Sequence, residues 1–236
     1  MTFRKTLTII TLAGALAISG CNVSERNESK GDKIDPEVRA YVTQNIGSII
    51  SSQEKTLGIQ HFGLPNLDIR GCGFRGDREF YNPDTDILKI YVPRAYVHFS
   101  PATTEDIIRH GLGHFYADKL SESLGLGSWP PDDKEDIDYV RKNIICEGIA
   151  EYFRRKSKDE EDTFKDSQWP KTLEEFENID FVPFYTGGYH LVKPIIDRHG
   201  KKGIKYLILN PPEIQDLKDL LGYQKRALED LSKSLK

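Results

Sequence analysis

Two histidines spaced four residues apart are the residues in this sequence with the clearest capacity for chemistry. They lie in the segment His110-Gly-Leu-Gly-His114-Phe-Tyr-Ala-Asp118. The segment is typical of a helix, and a spacing of four puts both imidazoles on one helical face, where they can hold a single metal ion. Such a pair also occurs by chance in helical cores and on surfaces, so alone it is a modest indication.

A second segment, Ile145-Cys-Glu147-Gly-Ile-Ala-Glu151-Tyr-Phe153, strengthens the metal hypothesis. It follows with 32 residues between His114 and Glu147. Within about residues 91–210, the two segments together resemble the gluzincin branch of zinc metallopeptidases, the thermolysin-like and aminopeptidase-like enzymes. The resemblance implies a zincin-like fold in which His110, His114 and Glu147 bind one Zn²⁺ per chain. Such a site keeps a fourth position open.

The sequence departs from this family at Gly111. Family members carry a His-Glu-x-x-His frame, whose glutamate activates the attacking water as a general base. Glycine can neither accept nor donate a proton, and loss of a positioned general base costs roughly 10²–10⁴-fold in rate. Whether the chain is an enzyme is therefore open. We favour an impaired peptidase homologue, a pseudopeptidase that acts as a binding module.

Three alternatives remain beside the pseudopeptidase. The chain could be an active zinc-dependent peptidase that uses another carboxylate, Glu151 or Glu105, as its base. Gly111 could be a recent single-base change from a glutamate codon. Finally, the two histidines could be incidental members of a plain helical core.

Five further residues are candidates for supporting roles around the metal. Asp118 and Glu151 each lie one turn beyond an expected ligand and could orient a histidine ring. The alternatives are a solvated aspartate at Asp118 and a salt bridge from Glu151 to a neighbouring arginine. By the resemblance, Tyr185, Tyr189 and His190 fall where related enzymes place a transition-state donor, and ordinary packing is the alternative there.

Hydrophobic periodicity predicts the elements that must position these side chains. The predicted fold is one α+β domain over residues 35–236, with a small N-terminal sheet of two to four strands and a mostly helical C-terminal part. Two or three short helices complete the tail. The longer elements are helices over 36–52, 103–124 and 134–156, a further helix ending near 199–200, strands over 67–74 and 87–92, and a turn over 82–86.

The first twenty residues have the pattern of an export signal. Two basic residues precede an apolar run over 7–18, too short to cross a bilayer as a helix. The run ends in Ile18-Ser-Gly-Cys21, which resembles the lipobox of bacterial lipoproteins and implies cleavage before Cys21 and lipid on its thiol. An ordinary signal is the alternative. Residues 21–34 are polar and predict a flexible tether.

This export pattern indicates where the protein acts. We expect a lipid-anchored membrane protein of the bacterial cell envelope, outside the cytoplasm, with a peptide or protein partner there. Removing residues 1–20 leaves 31 basic against 37 acidic residues. No basic stripe interleaved with aromatics occurs, which argues against nucleic acid. With Cys21 lipidated, Cys72 and Cys146 remain, and either a disulfide or two free thiols suits an exported protein.

Overall fold

The structure, a computed structural model, describes residues 36–59, 62–72, 78–93, 101–127, 129, 137–156, 162, 164–165, 169–170, 172 and 181–233. The expected signal, the tether and the lipid site Cys21 lie outside these residues. The described part of the chain is mostly helical with one small sheet, which confirms the α+β class. Within it, no helix combines the length and the apolar character needed to cross a membrane.

Seven helices lie in the described residues. Helix α1 begins as its apolar stripe predicts, and α2 begins two residues earlier than predicted. Thr103, where the helix was expected to begin, lies inside α2 because Pro101 begins the helix, a position where proline's fixed φ and missing N–H cost little. The helices are α1 Pro36–Leu57, α2 Pro101–Ser123, α3 Ile137–Lys156, α4 Phe181–His199, α5 Lys201–Leu209, α6 Ile214–Leu217 and α7 Leu220–Lys233.

Three strands form the sheet, within the range expected from sequence. They are β1 Asn66–Cys72, β2 Arg78–Asn82 and β3 Ile87–Pro93, in the order β1-β3-β2. The central strand β3 runs parallel to β1, with Asn66 opposite Ile87, and antiparallel to β2. The predicted turn joins β2 to β3, and Asp86 ends it with a φ of 55°.

The helix that carries the histidines, α2, lies at the centre of the fold. It packs against α1, α3 and the sheet, and α3 in turn packs against α4. The contact between α2 and α3 requires Gly113, because a Cβ there would overlap the backbone of Ala150. A Cβ on Gly188 of α4 would lie 2.7 Å from the carbonyl oxygen of Ile144 on α3. Glycines therefore set how closely these three helices approach.

Candidate metal centre

Helix α2 brings its two histidines together as their spacing predicts. The two Nε2 atoms lie 3.1 Å apart, and the ring centroids are separated by 4.9 Å. His110 is buried, at 5% exposure, while His114 is partly exposed. The pair is therefore accessible on the His114 side and enclosed on the His110 side.

Glu147 reaches this pair from α3. The close approach at Gly113 brings the two helices near enough for the carboxylate to meet both rings. Oε2 of Glu147 lies 3.4 Å from Nε2 of His110 and 3.6 Å from Nε2 of His114. The structure thus places together the three residues that the family resemblance implies as ligands.

The three ligand atoms have the spacing of a metal site. Zinc binds histidine nitrogen and carboxylate oxygen at about 2.0–2.2 Å, so tetrahedral ligand atoms lie about 3.3–3.5 Å apart. The observed separations of 3.1, 3.4 and 3.6 Å bracket that value. Moreover, Oε2 of Glu147 is buried and accepts no hydrogen bond within the described part of the chain. A buried carboxylate oxygen of this kind is stabilised by a cation placed between it and the two rings.

His114 and Glu147 also have the protonation states that metal binding requires. Burial lowers the pKa of His114 to about 4, so its ring is neutral at pH 7. Burial acts to raise the pKa of Glu147, but the neighbouring His114 and His110 outweigh it and the pKa is lowered. Glu147 therefore stays ionised. Neutral imidazole and ionised carboxylate are the forms that bind metals.

Glu151 holds the ring of His110 from the side opposite the ligand atoms. Its Oε1 lies 3.0 Å from Nδ1 of His110. The same oxygen accepts a hydrogen bond from Nε of Arg154 at 2.9 Å, and Oε2 of Glu151 accepts one from Nε of Arg155 at 2.7 Å. The predicted orienting role and the alternative salt bridge are therefore both present. Because an ionised carboxylate only accepts, the proton of His110 lies on Nδ1 and its Nε2 offers a lone pair.

These contacts bear on the alternative in which Glu151 is a catalytic base. Burial acts to raise its pKa, but His110 and Arg154 outweigh burial and hold the pKa well below its usual range. Both oxygens are occupied by donors. A carboxylate in this state is a weak proton acceptor. Glu105, the other alternative base, accepts hydrogen bonds from Tyr41 of α1 and from Arg109, away from the histidine pair.

Asp118 does not orient a histidine, and that prediction is wrong. Its carboxylate accepts hydrogen bonds from the hydroxyl of Tyr81 at 3.1 Å and from the backbone N–H of Trp129 at 3.0 Å. The side chain is fully buried, so it is not a solvated aspartate either. It ties α2 to the sheet and to the loop that follows α2.

The atom that meets His114 instead is the sulfur of Cys146. The Sγ atom lies 3.1 Å from Nδ1 of His114. Cys146 is buried and free, which settles the disulfide alternative in favour of a thiol. Burial raises the pKa of this thiol well above its usual value. Sequence reasoning missed this contact, and its position beside Glu147 is the one signal that could have indicated it.

Tyr185 is the one donor candidate that the structure brings to the metal ligands. Its ring lies edge-on to the ring of His110, with the centroids 5.8 Å apart. Helix α4 carries it there, because α4 packs against the α3 helix that supplies Glu147. The side chain is partly exposed, so it borders the site.

Tyr189 and His190 have other roles, which corrects their assignment as donors. Tyr189 is buried beneath Arg155, whose guanidinium lies 4.6 Å from the ring centroid. His190 pairs through Nδ1 with Asp162 at 2.7 Å and stacks on Phe164. Ordinary packing, the alternative raised for these residues, accounts for both.

Gly111 occupies the position after the first histidine and is buried in α2. It supplies no side chain. Among the described residues, the carboxylates that pair with the two histidines are those of Glu147 and Glu151. Within the described residues, the site therefore combines three candidate metal ligands and an oriented first histidine with no side chain at the position where the resemblance implies a base.

Comparison with known proteins adds no further constraint, because no protein-family model, curated protein or solved structure matches the chain. The metal hypothesis therefore depends on the geometry of His110, His114 and Glu147.

Proposed function

We propose that this chain is a zincin-like metal-binding protein in which His110, His114 and Glu147 hold one Zn²⁺. The observation that carries the proposal is the buried Oε2 of Glu147, which accepts no hydrogen bond from the described residues and lies 3.4 and 3.6 Å from two imidazole nitrogens. Two nitrogens and one carboxylate oxygen form a set that suits zinc. The zincin-like assignment is supported by the paired helices and by the sheet packed on α2.

The activity that follows is binding rather than hydrolysis. When bound, zinc supplies a Lewis acid with an open position for an oxygen or nitrogen ligand. Glu151 fixes His110, and the ring of Tyr185 borders the site. However, Gly111 leaves no group to move a proton at the position where the family carries its base. We therefore propose a pseudopeptidase that binds a peptide or protein partner.

The place of action follows from the sequence. We propose that lipid on Cys21 anchors the chain to the membrane of a bacterial cell envelope, with the domain outside the cytoplasm. The polar residues 21–34 would then give the domain reach from the membrane surface. Metabolic labelling with a fatty acid, beside a Cys21→Ala variant, tests this anchor, and absence of label in the wild type would contradict it.

Restoring the missing base tests whether the site is that of a base-deleted peptidase. The wild type loaded with zinc should show no activity on a broad peptide library, and Gly111→Glu should show a gain of about 10²–10⁴-fold over background. Gly111→Gln is the matched control, since its side chain has the same size but no carboxylate, and it should stay inactive.

Two outcomes would contradict this proposal. Wild-type activity that chelation abolishes would favour the active peptidase with a different base. A folded Gly111→Glu variant that binds zinc and remains inactive would show that more than the base is missing.

A further inference from the structure

The thiol of Cys146 holds a place in the site that the proposed function does not use. Its sulfur lies 3.1 Å from Nδ1 of His114, the ring nitrogen that does not face Glu147. The side chain is 1% exposed, so water does not compete for this contact. Within the described residues, the sulfur is the partner that this nitrogen has.

A histidine that binds a metal needs its second ring nitrogen held, because that contact fixes both the ring orientation and the position of the proton. Glu151 does this for His110, at 3.0 Å from Nδ1. We propose that Cys146 is the positioning residue for His114 and that its thiol exchanges the direction of its hydrogen bond when the metal binds. The inference rests on the proposed metal site.

The direction of each hydrogen bond follows from what each group can donate. Glu151 is ionised and only accepts, so His110 keeps its proton on Nδ1 and presents a lone pair on Nε2. The two Nε2 atoms lie 3.1 Å apart. When both rings are neutral and no metal lies between them, His114 donates from Nε2 to His110. Nδ1 of His114 then carries a lone pair, and the thiol of Cys146 donates its proton to it.

The hydrogen bond at Cys146 would run the other way in a metal-bound site. With both Nε2 lone pairs given to a metal, His114 would carry its proton on Nδ1 and the sulfur of Cys146 would accept it. The ring stays neutral, the thiol keeps its own proton, and no proton leaves the protein. A carboxylate at this position could only accept and would suit the metal-bound form alone, whereas a thiol suits both forms. His110 is thus the fixed ligand and His114 the adaptable one.

Zinc affinity of position-146 variants tests this role. The chain from residue 22 onward retains every described residue, and competition with a chelator measures its affinity. Cys146→Ala should weaken zinc binding about 10–100-fold, as loss of such a partner does in metal sites. Cys146→Ser keeps a hydroxyl that donates and accepts, and it should stay within about fivefold of the wild type, or 1 kcal/mol. Both variants remove similar volume, so a role in packing alone predicts equal losses.

The ring nitrogens supply a readout that packing would not change. In ¹⁵N-resolved NMR spectra, His114 should carry its proton on Nε2 before zinc is added and on Nδ1 afterwards. His110 should carry its proton on Nδ1 in both cases. Cys146→Ala should keep this proton on Nε2 in the metal-free protein, since His110 still accepts it, but should shift the Nδ1 signal of His114, which loses its hydrogen bond to the thiol.

Two results would overturn the inference, and they are distinguishable. Zinc binding by Cys146→Ala at wild-type affinity, with unchanged His114 ring signals, would overturn the role of Cys146 alone. Failure of the wild-type chain to bind zinc would overturn the proposed metal site, and this inference with it.

Discussion

Two buried acidic residues, Glu151 on α3 and Asp118 on α2, have opposite electrostatic surroundings. Sequence reasoning gave both the same task of orienting a histidine. Glu151 is met by His110, Arg154 and Arg155, and it remains ionised with its pKa well below the usual range. Its surroundings suit a permanent negative charge that holds a ligand ring.

Asp118 is buried at least as deeply but has neutral hydrogen-bond donors. These are the hydroxyl of Tyr81 and the backbone N–H of Trp129. Burial raises its pKa, and the two hydrogen bonds only partly oppose that effect. Its surroundings suit a structural junction between α2, the sheet and the following loop.

The difference shows that spacing along a helix identifies a face but not the partner across from it. Both acids lie one turn beyond a ligand, yet α3 presents two arginines near Glu151 and the sheet presents a tyrosine to Asp118. Burial costs a carboxylate several kcal/mol unless charge or hydrogen bonds compensate. The compensation therefore decides which buried acid holds the ring of His110 and which joins α2 to the sheet.

The largest expected effect is that of Glu151→Gln. The substitution leaves two arginines next to a neutral amide and removes the acceptor that fixes His110. Breaking a buried ion pair costs about 3–5 kcal/mol, and losing the support of a ligand costs about 10–100-fold in metal affinity. Urea unfolding of the metal-free chain and zinc competition measure the two losses.

Glu147→Gln is the matched control on the same helix. It removes a candidate ligand whose buried Oε2 accepts no hydrogen bond within the described residues. It should therefore abolish tight zinc binding while changing metal-free stability by less than about 1 kcal/mol. Equal stability losses in the two variants would contradict the distinction between a ligand and its support.

A smaller effect on stability and none on zinc should follow from Asp118→Ala. The substitution leaves the Trp129 N–H without its acceptor, at a cost of about 1–3 kcal/mol, whereas the Tyr81 hydroxyl keeps Oδ1 of Asp86 as an acceptor at 2.8 Å. Tyr81→Phe removes one of the two donors and should cost about 1 kcal/mol. Zinc affinity should stay within about twofold in both variants. If Asp118→Ala weakened zinc binding as much as Glu151→Gln, the separate roles assigned to the two acids would be contradicted.

The smallest effect, about 1 kcal/mol, is on how the free energy of unfolding depends on pH. The contributions of Glu151 and Asp118 to this free energy should change with pH in opposite directions. The folded-state pKa of Glu151 is lowered, so its stabilisation is present above the unfolded pKa near 4.3 and is lost as pH falls below it. The folded-state pKa of Asp118 is raised, so its contribution is fully present below the unfolded pKa near 3.9 and declines as pH rises.

Unfolding of metal-free wild type and variants from pH 3 to pH 7 measures this difference. As pH falls, the difference in free energy of unfolding between the wild type and Glu151→Gln should become smaller. Over the same range, the wild type should become more stable relative to Asp118→Asn. Parallel curves for the two variants would show that both acids have the same electrostatic role.

Much of the fold was predictable, because it depends on local signals. The apolar stripe of α1, the turn before β3 and the end of α2, at Ser123 against an expected 124, all agree closely with expectation. Strand β2 was not located, because its segment Arg78–Asn82 carries weak apolar alternation and gains its place by pairing with β3. Pairing between distant segments is a tertiary effect that periodicity does not report.

The candidate site was predictable where helical geometry or family resemblance specified it. The histidine pair follows from a spacing of four, and the resemblance supplied Glu147. Of the two residues that contact the Nδ1 atoms of these histidines, Glu151 was predicted from the sequence and Cys146 was not. Which residue of α3 faces His114 depends on the rotation of α3 about its axis. That rotation is set by the glycine contacts between helices, such as Gly113 with Ala150.

The zinc content of the chain from residue 22 onward tests whether His110, His114 and Glu147 bind a metal. The protein is offered zinc, freed of excess metal, and compared with a His110→Ala variant. We expect about one zinc per chain in the wild type and no bound zinc in the variant. A folded wild-type chain that retains no zinc would contradict it.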